Sequence, residues 1–230
     1  MCKNNNKGHN MNDELLAQDG PTTELKASYL TAEDCNIAAS VLYQAYHDDE
    51  LFQQILSFDS KSPATYEKKL RLLIREELAS FWQSHQHIIG VFSGNNLIAV
   101  SCVQKANDSL AAHRVWHWRL KLMLNTGMIS TKQLIEKEKA IHQAVTQFPN
   151  CCFISLFAVD PHVQHQGIGR FLLRAIDDLV NTDNADHSAI FITQNKHCAL
   201  FESEGYRSEQ ALTFTKVTGQ LFVKSKVENG

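Results

Sequence analysis

The chain has 230 residues, enough for one domain with a substantial insertion, and 43% of them are aliphatic, aromatic or Cys, which supports a sizeable core. A formal net charge of −3 and the lack of a long basic stripe argue against nucleic acid as a partner. Six cysteines without a C-x-x-C pair, two of them adjacent at Cys151 and Cys152, read as a reduced, cytosolic set rather than a disulfide framework.

Residues 1–24 are polar and Asn-rich, lack the apolar middle of a secretory signal, and carry Cys2 where a myristoylated chain needs Gly. They are expected to form a mobile tail before a domain over 25–230. No apolar run is long enough to span a bilayer, so no membrane partner is expected and the predicted location is cytoplasmic.

Leu25–Leu30 reads as a first strand. Thr31 is placed as the N-cap of a helix that carries Ile37, Val41, Leu42 and Ala45 at helical spacing. Leu51–Leu56 suggests a short second helix, and Ser62-Pro63 opens a third with Leu70, Leu73, Ile74 and Leu78 on one face. Ile88–Phe92 and Leu97–Val103 flank Ser93-Gly94-Asn95-Asn96, a hairpin signal. Residues 113–124 and 131–147 read as helices within a long insertion, 106–149. Phe153–Val159 is a strand closed by Asp160-Pro161. A helix over Gly167–Asn181 has a broad apolar face: Ile168, Phe171, Leu172, Ala175, Ile176 and Leu179. Ala189–Thr193 is a strand, and His197–Glu204 a short helix ending at Gly205. Leu212–Val217 and Leu221–Val227 form a last antiparallel pair around Thr218-Gly219. The order predicts an α/β fold with a mixed sheet of about six to seven strands flanked by helices.

The run Gln164-His165-Gln166-Gly167-Ile168-Gly169-Arg170 joins an apolar strand to an amphipathic helix. A helix start presents unpaired N–H groups and a partial positive charge, and glycines there let an anion reach the backbone. Arg170 can add charge. The P-loop pattern is absent, and the dinucleotide fingerprint fails because Leu172 stands where a third small residue belongs.

"LFAVDPHVQHQGIGRFLLRAIDDL" (156–179) resembles the central motif of the GCN5-related N-acetyltransferase (GNAT) family, [QR]-x-x-G-x-[GA], filled here by Gln164, Gly167 and Gly169. "ITQNKHCALFESEGY" (192–206) is similar to the family's next strand and helix. The resemblance implies a sheet splayed between the fourth and fifth strands, with acetyl-coenzyme A as co-substrate. It places the pantetheine arm on main chain of Phe157, Ala158 and Val159. The pyrophosphate then falls on amides of His165, Gln166, Gly167, Ile168, Gly169 and Arg170. The family's Asn position falls at Gln194 or at Asn195 beside it, and Asn195 is taken as a cofactor contact.

One departure is chemical. The family's Tyr, which protonates the leaving thiolate, is matched by Phe201, which has no proton to give. Another acid, water, or weak catalysis are the alternatives. Cys198 and Tyr206 read as core residues. The base is open among Glu50, Asp108, Glu136 and Glu138. His113 and His117, and His85 and His87, lack a third ligand, so no metal is expected. Trp116 and Trp118 either line an acceptor pocket or pack in the core. The insertion and Tyr43–Phe58 are expected to shape that pocket.

The expected activity is acetyl transfer from acetyl-coenzyme A to a primary amine of a small molecule, by a monomer or homodimer. The alternatives are a protein N-terminus or lysine as acceptor, and a non-catalytic acyl-coenzyme A sensor.

Overall fold

The computed structural model describes residues 24–106 and 128–226; the expected helix over 113–124 and almost all of the N-terminal stretch lie outside the described residues. In chain order the elements are β1 (Leu25–Tyr29), α1 (Cys35–Tyr46), α2 (Glu50–Ile55), α3 (Pro63–Gln83), β2 (His87–Ser93), β3 (Asn96–Gln104), α4 (Met128–Val145), β4 (Cys151–Val159), α5 (Ile168–Thr182), β5 (His187–Ile192), α6 (Cys198–Ser203), β6 (Arg207–Phe214) and β7 (Val217–Ser225). The strands form one seven-stranded sheet in the order β1-β2-β3-β4-β5-β7-β6. Every neighbouring pair is antiparallel except β4 and β5.

Helices cover both faces. Residues of α1, α2 and α3 share one buried cluster with Val100, Cys102, Leu156 and Ala158. The opposite cluster joins α5 to Ile89, Val91, Cys152, Ile154 and Ile190. The apolar stripe of α5 explains its seat: Ile168, Leu172, Leu173, Ile176, Leu179 and Val180 are all buried, each worth about 1.5–3 kcal/mol over exposure. The C-terminal part of α4 packs through Ala144 on Ala189, Leu221 and Val223.

Two local readings are corrected. The first helix starts at Cys35, not after Thr31: the Asp34 carboxylate reaches back to accept the Thr31 N–H (2.7 Å) and hydroxyl (2.8 Å), which closes a turn ahead of the helix. The last hairpin turns at Thr215-Lys216, with Thr215 at φ +58°, and Phe214 pairs with Val217. Gly219 lies inside β7 opposite Leu212. A Cβ there would lie 2.6 Å from the Ile192 carbonyl oxygen and press into the Phe191 ring. This glycine serves a close approach between strands, not a turn.

The central irregularity lies in β4. Cys102 pairs with Leu156 and Val103 with Ile154, so Ser155 is an extra residue, a β-bulge. The bulge reverses the side-chain alternation. Cys152 and Ile154 point into the α5 cluster, whereas Leu156 and Ala158 point into the α1–α3 cluster. Pairing between β4 and β5 ends at Ile154 and Ile190, although β4 runs on to Val159 and β5 to Ile192. Past the bulge the two parallel strands separate, and among the described residues no strand lies beside that side of β4.

Candidate active site

The loop after β4 is built by local hydrogen bonds. Asp160 accepts the His162 N–H at 2.9 Å and starts a single 3₁₀ turn over Pro161–Val163. His165 (φ +64°) and Gly167 (φ +80°) are left-handed, a geometry that turns successive N–H groups toward one concavity. The first bond of α5 runs from the Phe171 N–H to the Gly167 carbonyl, which leaves the amides of Ile168, Gly169 and Arg170 without helical partners. The loop therefore has the donors a pyrophosphate needs.

The two glycines are there for different reasons. Gly167 needs its positive φ, and a Cβ there would meet nothing within 4 Å. Gly169 lets α5 approach α6: a Cβ would lie 3.0 Å from Leu200 Cδ2. Arg170 is engaged with protein, its Nε 2.6 Å from Glu204 Oε1.

The unpaired side of β4 is the second part of the site. In an antiparallel ladder alternate residues turn their main-chain groups toward and away from the partner strand. Of the three residues expected to hold the pantetheine arm, Ala158 is corrected: the Asp160 N–H bonds the Ile98 carbonyl, so Ala158, opposite Val100, turns its main chain to β3, while Phe157 and Val159 face the gap. The Gln164 side-chain amide donates to the Val159 carbonyl at 3.1 Å. The Tyr46 hydroxyl accepts the Phe157 N–H at 3.0 Å and donates to the Phe157 carbonyl at 3.3 Å. Asp49, at the start of α2, meets β5 on the other side, where its carboxylate accepts the Thr193 hydroxyl at 2.7 Å. The α1–α2 corner thus touches both separated strands.

A cavity of about 60 Å³ opens beside this corner. Phe52, Phe153, Phe191, Leu134 and Ile141 supply apolar wall; Tyr46, Glu77, Lys137, Glu138 and Ser155 supply polar groups. Tyr46 and Phe52 come from the Tyr43–Phe58 region, and the α4 residues from the long insertion. The Lys137 ammonium is 3.0 Å from Glu138, with only 15% of its side chain exposed. Burial alone would lower its pKa, but Glu138, then Glu77 and Asp49, turn the net shift upward, so it stays charged.

Phe201 is 2% exposed and lies in the α5 cluster. Its ring makes edge contacts with Phe157 (5.3 Å between centroids) and Tyr206 (5.6 Å). Tyr206 is a core residue whose hydroxyl accepts from Ser188 at 3.0 Å. Cys198 is half-buried against the same cluster. Asn195 opens the 3₁₀ turn after β5; it is exposed, and its carbonyl accepts the Cys198 N–H.

Of the acids considered from sequence, Glu138 lines the cavity. Glu136 pairs with Lys132 at 3.8 Å on the exposed side of α4, and Glu50 takes a bond from Gln54. Asp108, His113, Trp116, His117 and Trp118 lie outside the described residues. His87 binds Asp183 at 2.8 Å, and among the described residues no group of three or more His, Cys, Asp or Glu is placed to hold a metal. Sequence reasoning reached Tyr46, Asp49 and Lys137 only as members of the two stretches expected to shape the pocket, and missed Glu77 and Ser155. Only Asp49 carried a signal, as an acid directly before a helix start: it accepts the Phe52 N–H at 3.0 Å.

Solved structures that share this fold include those of acetyltransferases. A Corynebacterium glutamicum protein described as histone acetyltransferase HPA2 and related acetyltransferase aligns with a TM-score of 0.65 at 13% identity, covering 90% of this chain and 99% of that one. A Drosophila melanogaster polyamine N-acetyltransferase that forms N-acetylagmatine aligns at 0.59 and 12%, covering 88% and 100%. The PaiA N-acetyltransferase of Thermoplasma acidophilum, solved with coenzyme A, aligns at 0.54 and 11%, covering 88% and 99%. No curated protein matches the sequence. The model of the Acetyltransferase (GNAT) family matches residues 50–206, more than half of the chain, and the chain belongs to that family. It is a family of acetyltransferases that use acetyl-coenzyme A. Among the described residues no helix is long and apolar enough to cross a membrane.

Proposed function

We propose that the protein transfers an acetyl group from acetyl-coenzyme A to a primary amine on a small molecule. The observation that carries this reading is the cavity. Ser155 and Leu156, at the bulge beside the open side of β4, line it, and so do aromatic walls and two carboxylates. A narrow recess suits a small amine better than a lysine or N-terminus on a folded protein, the alternative acceptors. In this reading the main chain of Phe157 and Val159 holds the pantetheine arm. The amides of His165, Gln166, Gly167, Ile168, Gly169 and Arg170 hold the pyrophosphate, and Asn195 lies alongside. Residues 25–230 form the acting unit, with 1–24 as a tail outside it. The cysteine pattern favours the cytoplasm, and a monomer or homodimer suffices.

An amine arrives as an ammonium and must lose a proton before its nitrogen can attack. Lys137 offsets one of the two charges of Glu77 and Glu138; the negative charge that remains attracts the cation, and either carboxylate can take the proton, directly or through water. The nitrogen lone pair then forms the bond to the carbonyl carbon, the C–S bond breaks, and sulfur leaves with its pair as thiolate.

The buried Phe201 favours a second reading, a non-catalytic acyl-coenzyme A sensor. The test is thiol release over a panel of amines and peptides, with acetyl-, propionyl- and longer acyl-coenzyme A as donors. Release that requires a small amine and rises with pH supports transfer. Tight coenzyme A binding without release on any acceptor supports the sensor.

A further inference from the structure

A strand side without a neighbouring strand leaves main-chain donors and acceptors that need partners. Beyond the β4 bulge, two positions turn such groups toward the gap, and side chains serve both. At Val159 a side-chain amide from Gln164 takes the carbonyl. At Phe157 a single hydroxyl, that of Tyr46, meets both the N–H and the C=O. An acyl arm that pairs with β4 must claim these same groups, so Tyr46 and the arm compete for Phe157.

Tyr46 is the last residue of α1. Its ring makes an edge contact with Phe52 (5.6 Å), and it belongs to the cavity wall. When an incoming oxygen takes the Phe157 N–H and an N–H of the arm takes the Phe157 carbonyl, the phenol loses both of its main-chain partners. Its O–H, released from the Phe157 carbonyl, then faces the oxygen that displaced it. On the opposite face of the sheet Phe201 packs on Phe157 with a bare ring that has no proton to donate.

We infer that Tyr46 is a catalytic residue: with the thioester on the open side of β4, its hydroxyl and the Phe157 N–H both donate to the acetyl carbonyl oxygen. This rests on the acetyl-transfer reading above. As the amine nitrogen bonds to the carbonyl carbon, the carbonyl π pair moves onto oxygen, between two donors. The pair returns as the C–S bond breaks and sulfur leaves with its electrons. Tyr46 keeps its proton throughout. Burial raises the pKa of this phenol, which suits a fixed donor rather than a proton carrier.

The experiment uses the full chain and Tyr46→Phe, which keeps the ring. Isotope-edited infrared spectroscopy of carbonyl-labelled acetyl-coenzyme A, bound without an acceptor, reads the hydrogen bonds to the carbonyl oxygen. The band is expected lower on the wild type than on the variant. Calorimetry should show acetyl-coenzyme A binding the variant as tightly or more tightly, since the phenol no longer competes. With an amine that turns over, kcat should fall about 10²–10³-fold, the usual effect of losing one such donor. Tyr46→Leu, compared in the same infrared assay, guards against a folding failure of the first variant. The same carbonyl band in wild type and both variants, or an unchanged kcat, overturns the inference and leaves the acetyl-transfer reading standing. A wild type that binds no acetyl-coenzyme A overturns both.

Discussion

Asp49 and Thr193, 144 residues apart in sequence, meet at 2.7 Å, the threonine hydroxyl donating to a carboxylate that is only 5% exposed. The same carboxylate accepts the Phe52 N–H. The start of α2 is thereby tied to the end of β5, next to the place where β4 and β5 separate. Thr193→Val keeps the side-chain shape and removes the donor. A buried carboxylate that loses one partner should lower stability by about 1–3 kcal/mol, readable as a shift of the urea midpoint at constant slope. An unchanged midpoint would mean that water takes the place of Thr193.

Gly167 separates backbone strain from charge. Its φ of +80° costs an alanine about 1–2 kcal/mol, yet nothing lies close enough to clash. Gly167→Ala should fold with a modestly lower midpoint and still bind coenzyme A. Gly167→Glu should suffer the same strain but lose binding in calorimetry, because its carboxylate would occupy the anion position. Equal affinities for the two variants would remove the pyrophosphate from this loop.

Phe201→Tyr tests whether a hydroxyl can be restored from the α6 side. The ring is packed on edge against Phe157 and Tyr206. An added oxygen overpacks the core and should destabilise by about 1–3 kcal/mol. The rate of thiol release should rise modestly or not at all. Phe201→Ala should cost about 3–5 kcal/mol through the cavity it leaves. A large gain in kcat for the tyrosine variant would contradict this and assign the acid to α6.

Burial pushes the Cys151 thiol up to about 12. At about pH 8 its thiolate, the reactive form, is then scarcer by about a thousandfold than in an unfolded chain titrating near 8.5. Iodoacetamide should label Cys151 slowly in the native protein and quickly in urea, as mass spectrometry can follow. The linked stability has a definite sign. Between the unfolded and native values the native state holds the proton that the unfolded chain has lost, so stability falls as pH rises across that window. Cys151→Ala should flatten that decline.

What the sequence revealed follows from how local the determining forces are. The α5 stripe was legible because apolar residues at helical spacing need only one face to bury. The loop from Gln164 to Arg170 was legible because its strand–glycine–helix pattern lies within a few residues. The bulge at Ser155 was not. Phe153, Ile154, Leu156, Phe157, Ala158 and Val159 are apolar on both faces, so a reversal of alternation leaves no trace in the residue types. Gly219 read as a turn because its reason, the nearness of Phe191 and Ile192, belongs to a neighbouring strand. Tyr46 lay within the stretch expected to shape the pocket, but nothing singled it out, because its partner is a main-chain group 111 residues away. Glu77 and Lys137 were not singled out for the same cause, since they come from different helices and share a wall only after folding.

The bulge gives the sheet a border in its interior. By position β4 is the middle of seven strands, yet over its last residues it behaves on one side as an outermost strand. Its amides should therefore exchange with solvent at alternating rates. The Ala158 amide, turned to β3, is locked into the ladder. The Phe157 amide is guarded only by one hydroxyl on a helix end, and should open without any unfolding of the sheet. A deuterium label at that single position would act as a built-in meter of what lies in the gap.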